Sequence, residues 1–275
     1  METLQLIKNK SFLFNYRTDK WWVEPLLVLL GLGGFIVYST WAAFQAEFYW
    51  AVSYLSPFYS PILYINDWGL ANGASGHEWF GEFPDWWKNT GLPASPAFLI
   101  LAFPGAFRFT CYYYRGAYYK AFIGTPPACA VTSLPHKPKY SGETFLLIFQ
   151  NLHRYALYIA IIFLFLLSYD AFLSYSYNGE IGIGVGSIVL TLNPVFLGMY
   201  TLGCHSFRHL VGGRKDCFSC CGTGALQNGV YHKVSWLNRN HKLFAWISLF
   251  WVGFSDFYVR MVSMGVITDL NTWGV

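Results

Sequence analysis

The sequence predicts an all-α fold, an integral membrane bundle of five transmembrane helices with a cytoplasmic N-terminus, residues 1–275 making a single helical domain. Three observations predict it. Of the 275 residues 55% are hydrophobic and 12% charged, a balance foreign to ordinary soluble domains. Five apolar segments are long enough, at about 1.5 Å per residue, to cross a ~30 Å hydrocarbon core. The lysines and arginines then collect on one face of the topology those segments dictate.

The first segment covers about 26–50; residues 26–44 follow "EP" and carry no charge. The second, about 94–123, opens with "LPASPAFLILAFPGAF" and continues past Arg108, whose side chain can reach for the interface. The third covers about 144–172. The fourth, about 181–210, holds Pro194, which membrane helices tolerate. The fifth runs over about 241–267. No short apolar stretch with a cleavage pattern precedes them, so the basic "KNKSFLFNYRTDKWWVEP" reads as an arm leading to an aromatic anchor.

Five crossings put the termini on opposite faces. With the N-terminus inside, all but Lys88 and Arg260 of the eighteen Lys and Arg residues lie on the inner side, as the positive-inside rule requires. The net charge of +4 therefore reads as topology plus a docking face. There is no nucleic-acid motif, internal repeat or low-complexity run. The long outer loop at 58–91 is rich in Trp and Tyr and reads as an interfacial cap, with a turn at "ANGASG".

The chemistry gathers on the inner side. All six cysteines (Cys111, Cys129, Cys204, Cys217, Cys220, Cys221) and every histidine but His77 fall there. That side of a bacterial inner membrane is reducing, which disfavours structural disulfides and leaves metal binding or inert thiols. Cys111, His153, the Cys204/His205/His209 group and His241 lie at one level on four helices. Polar residues in membrane helices are functional hypotheses by default. Blander readings stand beside this: lone buried cysteines are small hydrophobes, "CFSCC" is half of a zinc site without its second half, His136 is an interface histidine, and His205 and His209 can serve a helix end.

Among metal chemistries, two stacked haems need histidines near both faces, and the outer halves have none. A single inner haem b could use His153 with His205, His209 or His241. "HSFRH" has the HxxxH spacing of membrane di-iron desaturases, without their further histidine boxes. An iron–sulfur centre with two thiolates on one iron and two imidazoles on the other fits best.

The runs "FRFTCYYYRGAYYKAF", "PPACAV", "YSGETF", "QNLHRYALY", "YTLGCHSFRHLVGG" and "NRNHKLFAWISLFWVGFSDFYVRMV", in this order over about 95–265, resemble the membrane-anchor subunit of succinate dehydrogenase/fumarate reductase (complex II). The nearest likeness is to the haem-less single-anchor group of actinobacteria. The resemblance implies an anchor that binds a flavoprotein subunit and an iron–sulfur subunit on the cytoplasmic face and carries electrons to quinone through a Rieske-like [2Fe-2S] cluster. It carries the cluster to Cys204, His205, His209 and His241, with Cys111 or Cys129 as second thiolate. Tyr113, Arg115, Tyr119, His153, Arg154 and Tyr155 become candidates for quinone, hydrogen bonds to whose oxygens stabilise developing charge. The tyrosines equally suit an aromatic belt, and the inner Lys and Arg suit lipid phosphates or an acidic partner. A single-haem anchor, a di-iron oxidase and a zinc-stapled scaffold remain the alternatives.

Overall fold

The computed structural model describes residues 18–124, 142–213, 217–219 and 224–274, with the side chains of 142–147 and of Lys88 outside the description. The basic arm before residue 18, Cys129, His136, Cys220 and Cys221 therefore lie outside the described residues.

Among the described residues three helices are long and apolar enough to cross a membrane: α1 (Val23–Gln45), the stretch Ile148–Leu173 of a longer helix, and Val185–Leu202. Five were expected. The second segment fails because it is not continuous. After short helices at Asp67–Ala71 (α2) and Asp85–Lys88 (α3), it forms α4 (Pro96–Ile100), α5 (Ala102–Thr110) and α6 (Tyr112–Ala121). Pro104 accounts for the first break, since its ring clashes with the carbonyl four residues back, at Ile100, and it offers no N–H to bond it. The second break is at Cys111, whose backbone is extended (ψ 129°). Helix α7 (Gly142–Leu173) follows the expected third segment.

The fourth segment also divides. Helix α8 (Val185–Leu202) runs through Pro194 and stops at Gly203 and Cys204, after which α9 (His205–Gly212) begins. His205 and His209 thus sit on a new helix, not at the end of the fourth. An unpredicted helix, α10 (Gly224–Arg239), packs against α9. The fifth segment is the continuous α11 (His241–Ser263), but His241, Lys242, Asp256 and Arg260 keep it below the apolarity of a membrane span.

The described helices pack as one bundle: α11 lies on α8, α8 on α7 and α7 on α5. Leu27, Leu30, Val37, Phe165 and Phe172 remain exposed on its surface, the pattern of helices whose other face meets lipid rather than water. Leu32, Phe107, Tyr114, Leu157, Tyr200 and Leu249 form a buried core that includes Cys111 and Cys204.

The first helix ends earlier than expected, at Ala46, and Trp50 belongs instead to a hairpin of β1 (Trp50–Ala51) and β2 (Tyr54–Leu55). The loop expected as an interfacial cap is a packed unit with its own core of Tyr49, Phe58, Tyr59, Ile62 and Ile65. Its attachment to the bundle is polar. Asp256 accepts from Tyr38 (2.6 Å), Ser56 and Arg260, while Arg260 also donates to Gln45 (2.6 Å) and the Glu47 carbonyl (3.0 Å). At the same end a second hairpin, β3 (Ser176–Tyr177) with β4 (Glu180–Ile181), joins α7 to α8.

Candidate functional site

Two of the three breaks in the expected helices occur at cysteines. Cys111 stands between α5 and α6 and Cys204 between α8 and α9, each extended and each at the N-cap of the helix that follows. A helix start leaves backbone N–H groups free to bond a side chain at the N-cap. At Cys204 this is visible: the Ser206 N–H donates to its sulfur at 3.3 Å. Both thiols are free and 2–3% exposed.

Each cysteine faces a histidine from another helix. His153 of α7 places Nε2 2.9 Å from the Cys204 sulfur. His241, first residue of α11, places Nε2 3.6 Å from the Cys111 sulfur. The other nitrogen of His153 meets the Thr110 hydroxyl at 2.9 Å, which fixes the ring. The Nδ1 of His241 is buried with no hydrogen-bond partner among the described residues. Each imidazole also lies flat on an aromatic ring: His153 on Phe107 (4.7 Å, 8°) and His241 on Tyr200 (4.9 Å, 20°).

The two pairs border one cavity of about 730 Å³, lined further by Tyr113, Arg154, His205, His209, Arg239 and Lys242. Among the described residues no three His, Cys, Asp or Glu side chains converge closely enough to hold a metal ion; the donors stand as two separate couples. Their chemistry nonetheless fits a mixed-ligand two-iron cluster, which takes two thiolates and two imidazoles. The orphaned His241 nitrogen and the thiols at helix starts are what such a group would satisfy.

Of the predicted ligands, Cys111, Cys204 and His241 are thus brought together with His153, which the resemblance had placed among the quinone contacts. His205 and His209 are exposed at the cavity rim, and His209 Nδ1 meets Arg154 at 3.1 Å. Of the remaining quinone candidates, Tyr113 and Arg154 line the same cavity, while Arg115, Tyr119 and Tyr155 do not border it. Tyr113 accepts from the Trp246 ring N–H (2.8 Å). Arg115 is buried near the Tyr112 and Phe149 rings, and Tyr119 and Tyr155 are 41% and 67% exposed on the bundle surface. Cys217 is disulfide-bonded, against the expectation from compartment, and so leaves the pool of ligands.

Arg108 corrects a second expectation. It turns inward rather than to the interface, donating to the Tyr114 hydroxyl (2.6 Å), the Ala245 carbonyl (3.3 Å) and Ser248 (3.0 Å), with its guanidinium 4.8 Å from the Tyr200 ring centre. Thr110, Phe107 and Tyr200 were missed as well. Only Thr110 had a sequence signal, a polar residue beside Cys111 in an apolar run.

The sequence matches the family described as actinobacterial succinate dehydrogenase subunit SdhC over residues 23–265. Among solved structures, it is similar to a chain of the Mycobacterium smegmatis Sdh1 complex in the apo form, with 41% identity, a TM-score of 0.79, and coverage of 95% of this chain and 96% of that one. Among curated proteins no match is found.

Proposed function

The chain belongs to the actinobacterial succinate dehydrogenase SdhC family, and from that premise we propose that it relays electrons to quinone through a Cys/His-ligated [2Fe-2S] cluster. As a membrane subunit of a bacterial succinate dehydrogenase it does not act alone. We assign it flavoprotein and iron–sulfur partners on the cytoplasmic face, where the positive-inside reading of the sequence puts most of its basic residues. The similar solved chain is part of the Mycobacterium smegmatis Sdh1 complex.

The observation that carries the cluster reading is the meeting of two buried cysteines with buried His153 and half-buried His241 around one cavity. Cys111 and Cys204 are the thiolate donors, each set at the start of a helix, α6 and α9. His153 and His241 are the imidazole donors, and Thr110 sets which nitrogen of His153 is offered. When bound, the cluster supplies a one-electron carrier whose imidazole ligands raise its potential above that of all-cysteine clusters. Phe107 and Tyr200 stack flat on the two imidazoles and hold their orientation. Arg154, Arg239 and Lys242 line the same cavity and give it a positive rim suited to an acidic partner surface.

The test is an electron paramagnetic resonance spectrum of the dithionite-reduced purified complex, taken with its optical spectrum. A low-average-g signal without a Soret band supports the cluster. A Soret band without that signal would move His153 or His241 to haem b and refute it. The di-iron reading loses its support from geometry, because the two histidines of the HxxxH run are both exposed.

A further inference from the structure

Two arginines flank Cys111 in the chain, and both turn into the bundle. Arg108 lies in the last turn of α5, where its carbonyl accepts from the Cys111 N–H (3.2 Å). Arg115 lies one turn into α6, where its N–H donates to the Cys111 carbonyl (2.9 Å). Arg115 is 5% exposed, and its Nε, Nη1 and Nη2 are buried without a hydrogen-bond partner among the described residues. Its guanidinium instead faces the rings of Tyr112 and Phe149, 5.8 and 5.5 Å from their centres. Arg108 donates to neutral groups, the Tyr114 hydroxyl, the Ala245 carbonyl and Ser248.

Neither arginine forms an ion pair among the described residues; the carboxylates of Glu24 and Asp256 are taken by Lys242 and Arg260. A cation removed from water without a counter-ion is costly, more so than aromatic faces return. Two of them around one cysteine therefore point to a negative charge that the described side chains do not supply. The cations also divide between the two Cys/His couples. Phe149, beside Arg115, is one turn of α7 before His153, and Tyr200, 4.8 Å from the Arg108 guanidinium, is the ring on which His241 lies flat. Arg115 is within electrostatic reach of His153, and Arg108 of His241.

We propose that Arg108 and Arg115 are the resident counter-cations of the Cys/His site and hold up its reduction potential. The proposal rests on the reading of that site as a two-iron cluster and adds what tunes it. Two thiolates and two neutral imidazoles leave such a group neutral when oxidised and singly negative when reduced. Fixed cations in low-dielectric surroundings favour the reduced form. The redox step is the gain of one electron from succinate oxidation by the complex. No bond is made or broken, and the guanidiniums, which do not deprotonate, stay charged throughout.

The experiment is a redox titration of the intact purified complex, followed by the reduced-cluster resonance, in wild type, Arg115→Gln, Arg108→Gln and Arg115→Lys. Each Gln variant should shift the reduced-to-oxidised ratio about tenfold toward the oxidised form, a midpoint lowered by about 59 mV for one electron. Its g-values and iron content should remain those of wild type. Arg115→Lys keeps the charge and should keep most of the wild-type midpoint, which a packing role would not give. Wild-type midpoints in both Gln variants overturn the proposal, as does an equal drop in Arg115→Lys. If one Gln variant fails to assemble, the other decides; if neither assembles, the arginines serve the fold and the proposal falls. A wild-type complex without the resonance refutes the cluster reading, whereas an unmoved midpoint in a complex that shows it refutes this proposal alone.

Discussion

Asp256 and Arg260, one helical turn apart on α11, are both fully buried, with Arg260 Nε 3.4 Å from the Asp256 carboxylate. Removing one partner of a buried ion pair costs about 3–5 kcal/mol, because the other is left as an uncompensated charge. Asp256→Leu strips Arg260 of its counter-ion and leaves the Tyr38 and Ser56 hydroxyls without their acceptor, so the upper part of that range is expected. Arg260→Met leaves Asp256 charged but still accepting from both hydroxyls, and should cost about 3 kcal/mol. In the double variant no charge remains. Its cost should fall well below the sum of the two singles, because what persists is the unsatisfied hydroxyls and Gln45, at about 1–3 kcal/mol per buried group. The double-mutant cycle should thus give a coupling of about 2–3 kcal/mol. The assay is reversible unfolding of the purified protein in mixed detergent micelles with increasing dodecyl sulfate. Single substitutions that cost under about 1 kcal/mol, or strictly additive ones, would refute the claim that this pair fastens the packed loop unit to the bundle.

Cys111→Ser, Cys204→Ser, His153→Ala and His241→Ala should each abolish the cluster resonance and quinone reduction while succinate oxidation by an artificial acceptor continues; His205→Ala, at the exposed rim, should keep the resonance. Thr110→Val removes the contact to His153 Nδ1, and should shift the g-values or midpoint potential without loss of protein, by an interaction worth about 1 kcal/mol. Gly203→Ala would put a Cβ 2.7 Å from the Met199 carbonyl oxygen and 3.1 Å from that of Leu237. It should cost about 1–3 kcal/mol and, beside Cys204, weaken the resonance too, as thermal melting and spectroscopy would register. Burial against Trp50 holds the His77 pKa below its ordinary value, only partly opposed by Glu78. Since the unfolded chain then binds more protons, stability present above pH about 6.5 should decline as pH falls toward the lowered folded value, and His77→Phe should flatten that slope in melts between pH 7 and pH 5.

The sequence by itself determined that the chain belongs in a membrane, because uncharged runs such as 26–44 have no other stable home. It also put cysteines and histidines at one level: helix rise converts position along an apolar run into depth, and Cys111, His153, Cys204, His205, His209 and His241 were aligned before any packing was known. Only the tertiary structure decided how they pair. His153, not the histidines of the HxxxH run, meets Cys204, since α9 restarts after Gly203 and carries His205 and His209 out to the rim. Local pattern could not foresee that the two extended cysteines would each open a new helix. Nor could it foresee Arg108 turning inward, since its partners Ala245 and Ser248 lie about 140 residues further along the chain. The same holds for α11: its charges read as a flaw in a membrane span until Tyr38, Ser56, Gln45 and Glu47, distant in sequence, close around them. Period and composition fix which residues share a face and a depth. Which face meets which is set by packing between distant segments, and there the site is made.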